Sequence, residues 1–399
     1  MLVQQSLNYT CQLVVPILAT NLAADLGVDS SLLGVFLFIV NVNATIAAMC
    51  CGGFVLRYGG MRVSQFTMVM MAAGLGIASF GQLWLFPFAA MCLGVAAVST
   101  PASSHILQRF CPPRLAPTIF SIKQTGVPIG SVVAGLLVPF YLGIFGLYGT
   151  FIAIGAMAFV AAFLLQPLRP IYDDDRQPGR SLSPSDVGRT IRLVLRFRPL
   201  RELALAGFAF GGLQAIFAGF LVNYLENGIG RPLAEAGQIF ATASGVGIGT
   251  RILWGIVCSQ GVPPRIALSL IGFGAAASAV ATALYTPEWS TLAITLVAIC
   301  YSATAVSWHG VLLAETARLA PEGLVGPSTG GIISCISLSM MSYPAMFGGL
   351  LALTESYVWG FLVAAVPATL VGLLLLRPLR ADDLAAASEA AAARSVPEA

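Results

Sequence analysis

The stretch Ile144–Pro167, IFGLYGTFIAIGAMAFVAAFLLQP, runs for 24 residues without a charged side chain. At about 1.5 Å of rise per residue, a helix of this length crosses a hydrocarbon core about 30 Å thick. A lone strand or irregular backbone there would leave N–H and C=O groups unpaired in lipid, so the stretch has to be helical. Outward from it, similar apolar runs fall near 4–25, 32–56, 63–82, 84–108, 117–140, 203–225, 234–258, 264–285, 289–314, 328–351 and 354–376. Together they predict an all-α membrane protein of about twelve transmembrane helices. The composition agrees: 57% hydrophobic, 9% charged and a mean hydropathy of +0.87 is more apolar surface than one soluble core can bury.

The basic residues set the orientation, because positive charge in short loops resists translocation. With the N-terminus inside, 17 of the 20 fall in cytoplasmic segments, Arg231 alone falls in an outer loop, and Lys123 and Arg251 lie within predicted spans. Both termini are expected to be cytoplasmic, and the net charge of +3 reflects this bias rather than a nucleic-acid partner. The eight cysteines show no CxxC pair and no metal-ligand spacing. The first apolar run starts almost at Met1 with no basic n-region, which favours a membrane helix over a cleaved leader.

One long polar break, holding Asp173, Asp174, Asp175 and a cluster of Arg, divides six spans from six. The expected organisation is a six-helix half at 1–168, a cytoplasmic linker at 169–202, a second six-helix half at 203–378 and a tail at 379–399. Within the linker, Ser185-Asp186 can cap a helix whose Arg189, Arg192 and Arg196 share one face, as in an interfacial helix on anionic lipid. An offset of 203 places Gly34 on Gly237, Gly52 on Gly255 and Arg62 on Arg265, which supports duplication of the halves.

The loop Gly52-Gly53-Phe54-Val55-Leu56-Arg57-Tyr58-Gly59-Gly60-Met61-Arg62, between the second and third spans, is similar to the loop signature of the major facilitator superfamily, a G-x-x-x-D-R-x-G-x-R/K-like pattern. Ser121-Ile122-Lys123-Gln124-Thr125-Gly126-Val127-Pro128 looks like the fifth-span motif of a bacterial branch of that family. The resemblance implies a secondary transporter working by alternating access. It also implies that Gly52, Arg57, Gly59 and Arg62 belong to an inner conformational element. Leu56 stands where the family usually has an Asp that joins an inner-side ionic latch. The family's first, fourth, seventh and tenth spans line its cavity, and Gln12, Gln214, Tyr301 and Trp308 lie on three of them, with Tyr301, Thr304 and Trp308 in an i, i+3, i+7 stripe on the tenth.

Ionisable residues inside spans cost several kcal/mol and are functional candidates by default. Lys123 shares a helical stripe with Gly126, Gly130 and Ala134, and Arg251 shares one with Ser244, Gly247 and Gly255. Small residues face neighbouring helices, so both cations are expected to point into protein or a cavity, where they bind substrate or, alternatively, backbone carbonyls. Glu315 is expected to pair with Arg318 or Arg251. His105 and His309 read as packing histidines rather than proton relays. With no carboxylate deep in a span, the substrate is expected to be an organic anion, held by Lys123, Arg251, Gln124, Gln12, Gln214, Tyr301 and Trp308. Proton-coupled efflux of hydrophobic drugs, and a non-transporting receptor or scaffold of the same fold, are the alternatives. No catalytic motif, metal site or cofactor is expected, so the chain does not read as an enzyme. Expected partners are the small-molecule substrate, a coupling proton and the lipid of a bacterial inner membrane, with the chain monomeric.

Overall fold

The computed structural model describes residues 1–28, 32–179, 185–321 and 323–379. Among the described residues there is helix and no strand. Ten helical stretches there are long and apolar enough to cross a membrane by themselves. One of them, Pro113–Tyr172, holds both the fifth and sixth spans, which are separated at Gly146. That residue has φ 70° and ψ −174°, a region that essentially only glycine occupies. The first span is split into Leu2–Ile17 and Ala19–Leu26 at Leu18, so neither piece alone is long enough to cross. With it, the crossings reach the twelve expected from the sequence.

Prolines explain two of the interruptions. Pro101 has no N–H to give the carbonyl of Ala97, and a tight 3-10 turn, Val95–Val98, sits there in the fourth span. Pro128 likewise leaves the carbonyl of Gln124 without its helical donor, and the fifth span is interrupted at Thr125, between Ala116–Gln124 and Gly126–Leu164.

The chain forms two compact units. Unit 1 comprises Met1–Phe110, Lys123–Leu193 and Glu322–Ser334. Its core joins the first, third, fourth, fifth and sixth spans through Val14, Met71, Leu93, Val138 and Phe151. Lipid tails are as apolar as these side chains, so close packing rather than expulsion of water holds such helices together. The first and fifth spans show how. A Cβ on Gly126 would lie 2.8 Å from that of Gln5, and one on Gly130 would strike the backbone oxygen of Ser6. The Thr10 hydroxyl then donates to the Gly130 carbonyl at 3.1 Å. Within this unit Gly52 presses on Pro327, and Gly330 on the backbone of Ala48.

Unit 2 comprises Cys111–Ile122, Val194–Pro321 and Cys335–Ala399. Here a Cβ on Gly255 would sit 2.7 Å from the Pro117 carbonyl oxygen, and Thr118 and Ser259 share a hydrogen bond of 2.8 Å. Gly52 and Gly255, matched by the 203-residue offset, are thus both points of close helix approach, each in its own unit. Gly34 and Gly237 meet nothing within 4 Å. Aromatic rings fill the unit: Tyr301 lies 5.2 Å from Phe217 and 6.5 Å from Phe361, ring centre to ring centre.

The linker helix is Ser185–Arg196, but the side chains of Ser185, Asp186 and Arg189 lie outside the described residues, and with them the expected cap. Arg192 and Arg196 are exposed. Of the expected tail, residues 380–399 also lie outside the described residues.

Candidate functional site

In unit 1 the break at Thr125 follows directly on Lys123 and Gln124. Lys123 is only 4% exposed, and its ammonium donates to Gln124 Oε1 at 3.1 Å. Among the described residues no carboxylate lies within ion-pair distance of it. A buried cation held only by a neutral amide is an unusual arrangement, since buried charges are normally paired.

The first span faces this region with amides. Asn8 Nδ2 donates to Thr67 Oγ1 at 3.4 Å, and Gln4 Nε2 reaches the Ser64 carbonyl and Thr67 Oγ1, each at 3.5 Å. Gln12 donates to the Leu93 carbonyl at 3.3 Å, which ties it to the fourth span.

In unit 2 Arg251 is 2% exposed and donates to the Val306 carbonyl at 2.6 Å. The tenth span is not one regular helix: Thr291–Tyr301 passes into a π-turn at Ser302–Val306 before His309–Leu319 resumes. A π-turn disturbs the i to i−4 ladder, and in a membrane its loosened carbonyls need donors from neighbouring helices. The eighth span supplies them: Arg251 to Val306, and Trp254 Nε1 to the Ala303 carbonyl at 2.9 Å. The single Ser307 hydroxyl proton is shared between the Gly247 and Ser302 carbonyls, both 3.2 Å from Oγ. The backbone-carbonyl role weighed for Arg251 in the sequence is therefore present in the structure.

The π-turn also disrupts the regular stripe expected through Tyr301, Thr304 and Trp308. Tyr301 and Trp308 are fully buried; Tyr301 donates to the Leu213 carbonyl at 3.3 Å, and Trp308 stacks on His309 at 3.6 Å. Gln214, on the same turn as Leu213, is partly exposed. Glu315 pairs with Arg318 through two bonds of 2.7 Å, the first of the two pairings the sequence offered.

At one end of unit 1, Asp173 binds the motif loop while Asp174 and Asp175 bind the end of the fourth span, a relationship the sequence reading did not anticipate. Asp173 accepts the backbone N–H of Met61 at 2.7 Å and of Arg62 at 3.0 Å, capping the helix Gly60–Ala78. Gly59 adopts φ 92° beside it, and a Cβ there would strike the Asp173 carboxyl. Burial pushes the Asp173 carboxyl above the ordinary range, against the pull of the two N–H groups and Arg169. His105 Nε2 meets Asp175 at 2.7 Å, and Arg109 spans Asp174 and Asp175 at 2.6 and 2.7 Å. The Arg109 hydrogen bond holds the exposed Asp174 carboxyl below its usual range. Arg62 turns to Gln65 at 3.3 Å, Arg57 lies over the Tyr58 ring, and Leu56 is buried. Three consecutive acids beside His105 and Arg109, spaced i, i+4, were the available signal.

The sequence matches the family model of the Major Facilitator Superfamily over residues 2–344. The chain belongs to that superfamily. As a superfamily member it is a multi-pass membrane transporter, not an enzyme. Among solved structures it is similar to the human organic anion transporter MFSD10 (14% identity, TM-score 0.73, covering 94% of this chain and 97% of that one). It is also similar to a bacterial homologue of the iron transporter ferroportin in an outward-facing state (16%, 0.71, 94% and 98%) and to the E. coli fucose:proton symporter FucP (14%, 0.69, 94% and 97%). No curated protein matches the sequence. At these identities the likeness to solved structures is one of fold, so what this superfamily member carries has to be argued from its own side chains.

Proposed function

We propose that this transporter moves a small organic anion across the bilayer by alternating access, with Lys123 as the group that attracts the charge. One observation carries the reading: a cation 4% exposed, bonded to a neutral amide, with no carboxylate at ion-pair distance among the described residues. A cationic drug would be repelled by it. The buried acids that a cation carrier could use are already engaged: Glu315 by both of its oxygens on Arg318, Glu202 on Arg198 and Arg265, and Asp173 on the N–H groups of Met61 and Arg62. Gln124 positions the ammonium, Gln12, Gln214, Tyr301 and Trp308 shape or support the surrounding helices, and Arg251 contributes through the π-turn it holds. Gly52, Arg57, Gly59 and Arg62, with the Glu315–Arg318 pair, belong to the moving inner ends. The two six-helix halves joined at 169–202, a coupling proton, cytoplasmic termini, a bacterial inner membrane and a monomeric state complete the reading.

The test is transport into proteoliposomes of a panel of carboxylates, sulfonates and cationic drugs by wild type and Lys123→Gln. Anion transport that Lys123→Gln abolishes at unchanged membrane expression is the expected result. Transport of cations alone, or full anion transport by Lys123→Gln, overturns it.

A further inference from the structure

The first span carries a stripe of amides, Gln5, Asn8 and Gln12, at i, i+3 and i+7, on one helical face. Gln12 is committed to the Leu93 carbonyl. Asn8 is different: it is 2% exposed, its Nδ2 is bonded to Thr67 Oγ1, and its Oδ1 has no partner among the described residues. The two ends of an amide are ordinarily hard to tell apart, but here the network decides. A threonine hydroxyl has one proton, and Thr67 gives its own to the Ser64 carbonyl at 2.7 Å. Asn8 must therefore present N–H to Thr67, which leaves its oxygen as a buried acceptor. Gln5 adds a second amide, whose Oε1 is also buried without a partner among the described residues.

These acceptors stand above Lys123. Gly126 packs on Gln5, with a Cβ there 2.8 Å from that of Gln5 and 2.9 Å from the Leu2 carbonyl oxygen, while Gly130 packs on Ser6 and Tyr9. The two helices thus run in the same direction. Lys123 precedes Gly126 by three residues, across the interruption at Thr125, so Gln5 lies about 5 Å and Asn8 about 10 Å further along the helix axis. A cation followed by neutral acceptors at rising depth is complementary to an anion followed by donors.

We infer that the substrate is a hydroxylated organic acid, its carboxylate on Lys123 and its hydroxyls, one to two helical turns away, donating to Gln5 Oε1 and Asn8 Oδ1. This rests on the anion reading and narrows it. A plain carboxylate entering the same place strands a buried acceptor, and sites built to bond a hydroxyl reject analogues that lack it. The separation suits an acid of about six carbons at about 5 Å per helical turn.

The experiment is calorimetric titration of the purified full chain with gluconate, 6-hydroxyhexanoate and hexanoate. Wild type is expected to bind gluconate and 6-hydroxyhexanoate about tenfold or more tighter than hexanoate. In Asn8→Ala that ratio falls towards one, whereas Lys123→Gln weakens all three acids together. Equal wild-type affinities for the three acids overturn the hydroxyl inference while leaving the anion reading intact, and require no variant to fold. A preference that survives in both Asn8→Ala and Gln5→Ala overturns it as well. Binding of none of these acids by a protein that binds and carries cationic drugs overturns the anion reading itself.

Discussion

The Asp173 carboxylate, 3% exposed, receives the Met61 backbone N–H at 2.7 Å, so a residue of the linker caps the third span. Its folded pKa is raised above the usual 3.8 by burial, which means the native state binds the proton more readily than the unfolded chain does. Stability from this group is therefore greatest at low pH and is lost as pH rises from about 3.8 through the folded value. Wild type should gain melting temperature relative to Asp173→Asn on acidification from neutral pH through the raised folded value. A relative loss would show that the two N–H bonds outweigh burial. Asp173→Ala, which removes the cap altogether, should cost about 1–2 kcal/mol.

Glu315 is 1% exposed and its partner Arg318 has a side chain 58% exposed. Removing the arginine strands a buried carboxylate, while removing the acid returns an exposed guanidinium to water. Arg318→Gln should therefore destabilise by about 1–3 kcal/mol and Glu315→Gln by less. Thermal melts of both variants and their double mutant measure the difference, and equal costs would contradict the asymmetry.

Trp254 Nε1 donates to the Ala303 carbonyl inside the π-turn at 2.9 Å. Trp254→Phe keeps most of the ring but withdraws the donor, and should cost about 1 kcal/mol. Amide hydrogen exchange should quicken around 302–308 while the ninth span stays protected. Uniform quickening would assign the loss to packing instead.

Gly130 and Gly135 lie on one helix and differ only in what faces them. A Cβ on Gly130 strikes the Ser6 backbone, whereas Gly135 has nothing within 4 Å. Gly130→Ala should lower stability by about 1–3 kcal/mol, and Gly135→Ala should leave it unchanged or slightly raised by better helix propensity. Melting temperatures of the two variants decide it.

Much of the fold was legible because lipid leaves a chain few options. Uncharged runs such as 144–167 have to be helices, and their number indicates the architecture. The burial of Lys123 followed from the same logic, through the small residues on its stripe. The Glu315–Arg318 pairing was available from local spacing.

Other features were hidden because they are made by residues far apart in the chain. Asp173 reads as one charge in a polar linker until the tertiary structure lays it on the N–H groups of Met61 and Arg62. Tyr301 and Trp308 read as one helical stripe until the π-turn, held by donors from the eighth span, changes their register. Asn8 reads as an ordinary interhelical amide until the proton of Thr67 is traced to the Ser64 carbonyl, and only then does its oxygen become an acceptor in need of a donor. Hydropathy is a property of each segment alone and sets which segments enter the bilayer. Hydrogen-bond satisfaction is a property of what surrounds each atom once the helices have packed.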